Sequence, residues 1–297
     1  MNAPIQSADL MPQTVEFKLN DQVVMGFEGE SILNAAKRNG VDIPHLCYTE
    51  GLRADGNCRA CVVEIKGERT LAPSCCRHVT PGLEVLSQSL RAKKSQEMVL
   101  ELLLSDMPDQ GYKWTEEGQH GELSEWAEAM DVKVRPELAS LRREQPGTDV
   151  SHPAMAVNLD ACIQCNRCVR ACREEQVNDV IGYAHRGAHS QIVFDLHDDM
   201  GSSSCVACGE CVQACPTGAL MPKTQVGSQV VDKKVDSVCP FCGVGCLLTY
   251  NVKDNRIVSV EGRDGPANHN RLCVKGRFGF DYIEHPQRLT VPLIRKS

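Results

Sequence analysis

The chain has 297 residues, of which 42% are hydrophobic and only 4% aromatic, and it carries a formal net charge of −7. Such a length suits about two domains, and cores with few large rings gain from inorganic support. The acidic balance argues against a phosphate-binding surface as the main function, so nucleic acid is not an expected partner. Seventeen cysteines could supply the support. Residues 1–10 show no secretory or twin-arginine signal, and the most apolar stretch, 98–104, is too short to span a bilayer and contains Glu101. The expectation is a soluble, cytoplasmic chain without a membrane span, whose thiols stay reduced and bind metal.

Taken in chain order, Val15, Phe17 and Leu19 alternate as in a half-buried strand. Asn20-Asp21 predicts a turn into a second extended run over 23–27. Ser31 caps a predicted helix running to about Asn39, with Gly40 as its stop. Another strand is predicted over 61–66. The stretch 77–161 has no cysteine and reads as helical. Leu90, Met98, Val99, Leu102 and Leu103 share helical spacing, and Leu123, Trp126, Ala127 and Met130 fall at i, i+3, i+4 and i+7. Pro136, Pro146 and Gly147 mark a linker. From 151 onward the pattern Cys-x2-Cys-x2-Cys-x3-Cys occurs at 162 and again at 205, an internal repeat of about 43 residues. Short strands are predicted over 181–183 and 191–196, and over 247–252 and 256–260 in a last small unit. The expected fold class is α+β in a multi-domain protein, divided as 1–90, a helical spacer 91–150, 151–225 and 226–297.

The repeated pair carries the clearest chemistry. A loop with two residues between ligands offers three thiolates to one iron–sulfur cubane, while the fourth cysteine serves the neighbouring cluster. On that rule Cys162, Cys165, Cys168 and Cys215 hold one [4Fe–4S] cluster, and Cys205, Cys208, Cys211 and Cys172 hold the second. Zinc usually takes two separated pairs and fits this spacing poorly. The segment resembles the two-cluster bacterial-type ferredoxin domain, with Arg173 after Cys172 in place of a proline. Arg167, Arg170 and Arg173 read either as neutralising anionic clusters or as a solvated charged face.

The first group is Cys47-x10-Cys58-x2-Cys61-x13-Cys75. A distant first ligand, a close pair and a distant fourth suit a [2Fe–2S] rhomb, although the spacing differs from the plant type and a rubredoxin-like or zinc site stays open. Gly56-Asn57 lets the loop approach closely and aim N–H groups at sulfur. Through Pro44-His45-Leu46-Cys47-Tyr48, Gly56-Asn57-Cys58-Arg59-Ala60-Cys61 and Pro73-Ser74-Cys75 the segment resembles the β-grasp [2Fe–2S] domain of NADH-linked complexes and hydrogenases. That resemblance favours Cys75 over Cys76 as fourth ligand and leaves Cys76 a structural free thiol.

The third group is Cys239-x2-Cys242-x3-Cys246-x26-Cys273, whose spacing alone also admits zinc. Leu272-Cys273-Val274-Lys275-Gly276-Arg277-Phe278 and His285-Pro286-Gln287-Arg288-Leu289 resemble the N-terminal [4Fe–4S] domain of molybdenum/tungsten bis-pterin oxidoreductases, of formate dehydrogenase type. The resemblance implies a third cubane and places Lys275 between it and a pterin. Taken together, the modules resemble the front third of the catalytic α subunit of NAD-dependent formate dehydrogenases. This implies one [2Fe–2S] and three [4Fe–4S] clusters relaying electrons from a molybdenum– or tungsten–bis-pterin guanine dinucleotide, contacted through a further C-terminal part, to flavin- and NAD-binding diaphorase subunits. No catalytic residue is expected within these residues, because the pterin-binding region or subunit would lie beyond Ser297. Relatives commonly bind another cubane through one histidine and three cysteines in the region matching 105–125; His120 alone cannot hold one, so that cluster is expected to be missing. The rival readings are an arm of an NAD-reducing hydrogenase or NADH complex and, in another class, a zinc-stapled interaction module.

Overall fold

The computed structural model describes residues 13–108, 121–141, 147–227 and 231–296. Contacts divide the chain into two compact units. The first takes the described residues up to Tyr48, together with Arg53–Leu102 and Trp126–Val134; the second takes Thr49–Leu52 and the remaining described residues from 103 onward.

In the first unit, strands β1 (Thr14–Leu19) and β2 (Gln22–Phe27) form the expected hairpin. Asn20 and Asp21 both take left-handed backbone, φ 50° and 65°. Short polar side chains tolerate that conformation, and a turn of this hand matches the strand twist. β1 buries Val15, Phe17 and Leu19 and exposes the residues between them. Helix α1 (Ile32–Arg38) starts where Ser31 Oγ accepts the Asn34 N–H at 3.2 Å and stops at Gly40, φ +74°. Strands β3 (Val62–Ile65), β4 (Ala72–Pro73) and β5 (Glu84–Leu86) complete a sheet of order β2-β1-β5-β3-β4, in which β1 and β5 run parallel. Ile32, Leu33, Ala35 and Ala36 pack with Phe17, Leu19, Val63 and Val85 in one core that includes Cys61 and Cys75.

Helix α2 (Leu90–Ser105) forms where helical spacing was read, but it is rotated. The residues it buries are Ala92, Gln96, Leu100 and Glu101, while Leu90, Met98 and Leu102 are exposed. Gln96 decides this: its Nε2 donates to Val62 O at 2.8 Å and Ser87 O at 3.4 Å. Satisfying buried carbonyls outweighs covering a few methyl groups. Helix α3 (Glu122–Ala129) buries Leu123 and Ala127 with Trp126 and Met130 half-buried, the face the spacing predicts. The described parts of residues 91–150 are apportioned between the two units.

The second unit begins with β6 (Thr148–Asp149) and β7 (Met155–Asn158); β7 is buried throughout. Two short helices, α4 (Arg167–Arg170) and α5 (Glu210–Ala214), follow corresponding points of the repeated cysteine loops. Between them β8 (Ile181–Ala184) and β9 (Gln191–Phe194) pair as an antiparallel hairpin. β10 (Leu220–Pro222) closes a sheet of order β10-β7-β6. The same unit contains an antiparallel meander of β11 (Lys233–Val238), β12 (Leu247–Lys253) and β13 (Arg256–Gly262), followed by helix α6 (Val274–Phe278). No helix among the described residues is long and apolar enough to cross a membrane.

Candidate metal centres

The internal repeat is visible in the backbone. Gln164 at φ 55° corresponds to Ala207 at φ 58°, and Asn166 at φ 67° to Gly209 at φ 72°. Left-handed residues alternating with ordinary ones turn successive amides toward the loop interior. Gln164 N–H reaches Cys162 Sγ at 3.4 Å, and Ala207 N–H reaches Cys205 Sγ at 3.4 Å. Burial pushes the Cys165 and Cys208 thiols up, and the N–H groups of Arg167 and Glu210 oppose it. Burial raises Cys168 and Cys211 well above the ordinary thiol range, with neighbouring sulfurs adding to the effect. Thiolates are costly in such surroundings unless a cation takes their charge.

Two cavities lie beneath these loops. One is lined by Cys162, Cys165, Cys168 and Cys215, with Leu159, Ile192 and Leu220 among its apolar walls. The other is lined by Cys172, Cys205, Cys208 and Cys211, with Val180, Ile181, Phe194 and Met200. Each takes three cysteines from one run and the fourth from the other. Four sulfurs, inward amides and hydrocarbon walls fit a cubane cluster: the thiols supply anionic ligands, and the remaining surface excludes water. Among the described residues no three His, Cys, Asp or Glu side chains converge as a single metal ion requires.

In the first unit Cys47, Cys61 and Cys75 are buried and Cys58 is partly buried. Hydrogen bonds from the Cys58 and Cys75 thiols hold the Cys47 thiol far below its usual range, aided by the N–H groups of Cys58 and Asn57. The same interactions with Cys47 raise Cys58 and Cys75. Cys61, hydrogen-bonded by Cys75, is lowered to about 7. Pairwise interactions thus link the four thiols, Cys58 to Cys47, Cys47 to Cys75 and Cys75 to Cys61, a donor set that fits a rhomb. Cys76 is exposed, with its Sγ 3.6 Å from that of Cys75. Gly56, at φ +60°, lies so close that a Cβ would stand 3.0 Å from Cys76 Sγ.

The third group is more open. Cys239 N–H donates to Cys246 O at 2.8 Å and closes the loop between them, with Gly243 and Gly245 left-handed at φ 77° and 84°. Burial raises the Cys246 thiol, and the charges of Cys239, Cys242 and Cys273 raise it further. Cys242 and Cys273 are exposed. Lys275 is exposed on α6, two residues past Cys273.

The structure separates the three arginines. Arg167 and Arg170 are each 2% exposed, so they form no solvated face. Arg167 Nη1 pairs with Glu122 Oε2 at 2.7 Å, and Arg170 Nε donates to Asn166 O at 3.2 Å. Arg173 is exposed and pairs with Asp179 at 2.5 Å. Glu210, Arg271 and Gln213 carry no motif that marks them in the sequence, and Arg277 stands there only within the motif around Cys273. Glu210 is fully buried, 2.6 Å from Arg271 Nη1 and 3.3 Å from Arg277 Nη2. Gln213 Nε2 donates to Asn270 O at 2.6 Å. The available signal was a carboxylate inside a cysteine loop, which must find a cation; its partners lie more than 60 residues away. His120 lies outside the described residues, as does part of the stretch 105–125.

Comparison with known proteins agrees with this geometry. Residues 12–90 match the 2Fe-2S iron-sulfur cluster binding domain, 154–216 the 4Fe-4S dicluster domain, and 232–285 the molybdopterin oxidoreductase Fe4S4 domain. Fold and matches together define the class: a multi-domain iron–sulfur protein of the oxidoreductases. An NADH-quinone oxidoreductase subunit of Rhizobium meliloti (strain 1021) is 31% identical over 95% of this chain and 33% of its own length. The alpha subunit of the NADPH-Fe(3+) oxidoreductase of Geobacter sulfurreducens is 31% identical over 89% of this chain and 31% of its own. A formate dehydrogenase-like protein of Bacillus subtilis (strain 168) is 27% identical over 96% and 33%. A chain of an NAD+-reducing [NiFe]-hydrogenase in the H2-reduced state superposes with a TM-score of 0.64 at 27% identity, covering 74% of this chain and 92% of that one. The chain is thus related to iron–sulfur electron-transfer subunits of these enzymes, and it spans about a third of the length of the curated relatives.

Proposed function

We propose that this chain is the electron-relay portion of an NAD-linked formate dehydrogenase. The observation that carries the relay is the pair of cavities, each lined by three cysteines of one run and the fourth of the other. In this reading Cys47, Cys58, Cys61 and Cys75 hold a [2Fe–2S] cluster, and the two crossed sets and Cys239, Cys242, Cys246 and Cys273 hold three [4Fe–4S] clusters. Bound clusters supply one-electron carriers. The protein's own part is to present thiolates, aim N–H groups at sulfur, exclude water with apolar walls and set the local charge. The functional segments are 1–90, the spacer 91–150, 151–225 and 226–297. Lys275 stands between the last cluster and a molybdenum– or tungsten–bis-pterin centre held by a pterin-binding catalytic region or subunit, and the far end of the relay meets a diaphorase carrying flavin and NAD. The reading is supported by the molybdopterin oxidoreductase match over 232–285 and by formate dehydrogenase-like relatives that align over more than 90% of the chain.

A second reading is favoured by other relatives: the relay arm of an NAD-reducing hydrogenase or NADH complex, given the Rhizobium protein and the hydrogenase chain. Anaerobic purification of the chain with the polypeptides that accompany it distinguishes the two. The formate reading expects about fourteen irons per chain, three cubanes and a rhomb, with molybdenum or tungsten present and the brown colour bleached by formate. Nickel with bleaching by hydrogen, or bleaching by NADH alone, replaces it by the second reading. Zinc with little iron removes both.

A further inference from the structure

The two halves of the repeat share a backbone but differ in charge at one equivalent position. Arg167 and Glu210 each follow the second cysteine of their run by two residues, each aims its backbone N–H at that cysteine's sulfur, and both are buried, 2% and 0% exposed. The same frame therefore carries a guanidinium in one copy and a carboxylate in the other. Buried charges of this kind need partners, and each has a different one. Arg167 meets the half-exposed carboxylate of Glu122 at 2.7 Å. Glu210 meets Arg271 at 2.6 Å and Arg277 at 3.3 Å, and Arg271 also pairs with Glu175 at 3.3 Å.

Arg277 does more than balance charge. Its Nε donates to Cys208 O at 3.2 Å, so it grips the loop carrying Cys205 and Cys208, while its backbone lies on α6 just past Cys273. Gly209 lies beneath it at φ +72°, and a Cβ there would overlap Arg277 Cδ and stand 2.7 Å from the Phe278 ring. Only glycine lets α6 pack so closely on this loop. Removal from water lowers the Arg277 pKa, while Glu210 and the thiols of Cys211 and Cys208 act against that.

We propose that the two buried ion networks at this position, Arg167 with Glu122 in one copy and Glu210 with Arg271 and Arg277 in the other, tune the reduction potentials of the two cubanes separately, with Arg277 as the positioning residue of the second copy. This rests on the reading that the crossed cysteine sets hold [4Fe–4S] clusters. An anion beside a cluster opposes the arriving electron and a cation favours it, and the effect is strong where water cannot screen it. Each substitution therefore moves the nearer cluster more than its neighbour. Arg277 also fixes the second loop against α6, so its loss loosens that loop as well as changing its charge.

The test is a potentiometric titration of the anaerobically purified complex, followed by electron paramagnetic resonance, on the unaltered protein and on E210Q, R277Q, R277K and R167Q. E210Q is expected to raise the midpoint of one cubane, and R277Q to lower the midpoint of that same cubane. R277K is expected to restore it toward the unaltered value, and R167Q to lower the midpoint of the other cubane. A purely structural role would not produce opposite signs at one cluster. Unmoved midpoints, a common shift of all clusters, or the same sign for E210Q and R277Q would overturn the proposal. If E210Q loses its cluster, Arg271→Gln decides: it removes one cation from the same carboxylate at a partly solvated site and must lower that cubane's midpoint. An unaltered protein lacking iron in the repeat sinks the cluster reading instead.

Discussion

Crossing of the fourth ligands can be tested by counting iron in double variants. If Cys172 belongs with Cys205, Cys208 and Cys211, as the lining of the second cavity places it, replacing it by alanine removes one cubane. The load then falls from about fourteen irons per chain to about ten. Adding C211A removes a second ligand of a cluster already lost, so C172A/C211A also retains about ten. C168A/C172A touches both cavities although the two residues share one run, and it leaves about six. Anaerobic iron and sulfide analysis with spin counting on the reduced protein reads these numbers directly, and such non-additivity is the signature of shared partners. The opposite pattern would refute the crossing: a loss of eight irons in C172A/C211A with a loss of only four in C168A/C172A.

Two further outcomes follow from packing and burial. Gln96→Ala strips Val62 O and Ser87 O of a buried donor at 2.8 and 3.4 Å; it should cost about 1–3 kcal/mol, read as a lower denaturation midpoint with unchanged m, and an unmoved midpoint would show that Gln96 does not anchor α2. His152 is 5% exposed, and its Nδ1 accepts the N–H groups of Ala154 at 3.1 Å and Met155 at 3.2 Å. Burial lowers its pKa below the ordinary 6.5, with Asp149 pulling the other way. The unfolded chain then binds the proton more readily, so this contribution to stability is present above about 6.5 and fades as the pH falls below it. Thermal unfolding between pH 8 and 6 should show a steeper loss for the unaltered protein than for His152→Asn, and parallel slopes would contradict the assignment.

Much of the local structure was legible because its causes are local. Alternation at Val15, Phe17 and Leu19, the Asn20-Asp21 turn and the Ser31 cap each act within a few residues, and each element forms where it was read. The rotation of α2 was not legible: its spacing pointed to Met98 and Leu102, whereas the donor needs of Val62 and Ser87 turned Gln96 inward. The arginines divide in the same way, since three similar side chains a few residues apart ended with two buried and one in solvent.

The cysteine spacings by themselves determined how many thiol groups there are, which residues form them and that two runs should exchange their fourth members, because the chain length between ligands limits what a loop can reach. Tertiary structure alone decided that Cys75 is buried while Cys76 is exposed, and that Glu210, fixed in sequence between two cysteines, is matched by arginines more than 60 residues away. The reason is physical. Spacing governs what neighbouring residues can hold together, whereas the cost of burying a charge or a thiol depends on which distant segment arrives beside it.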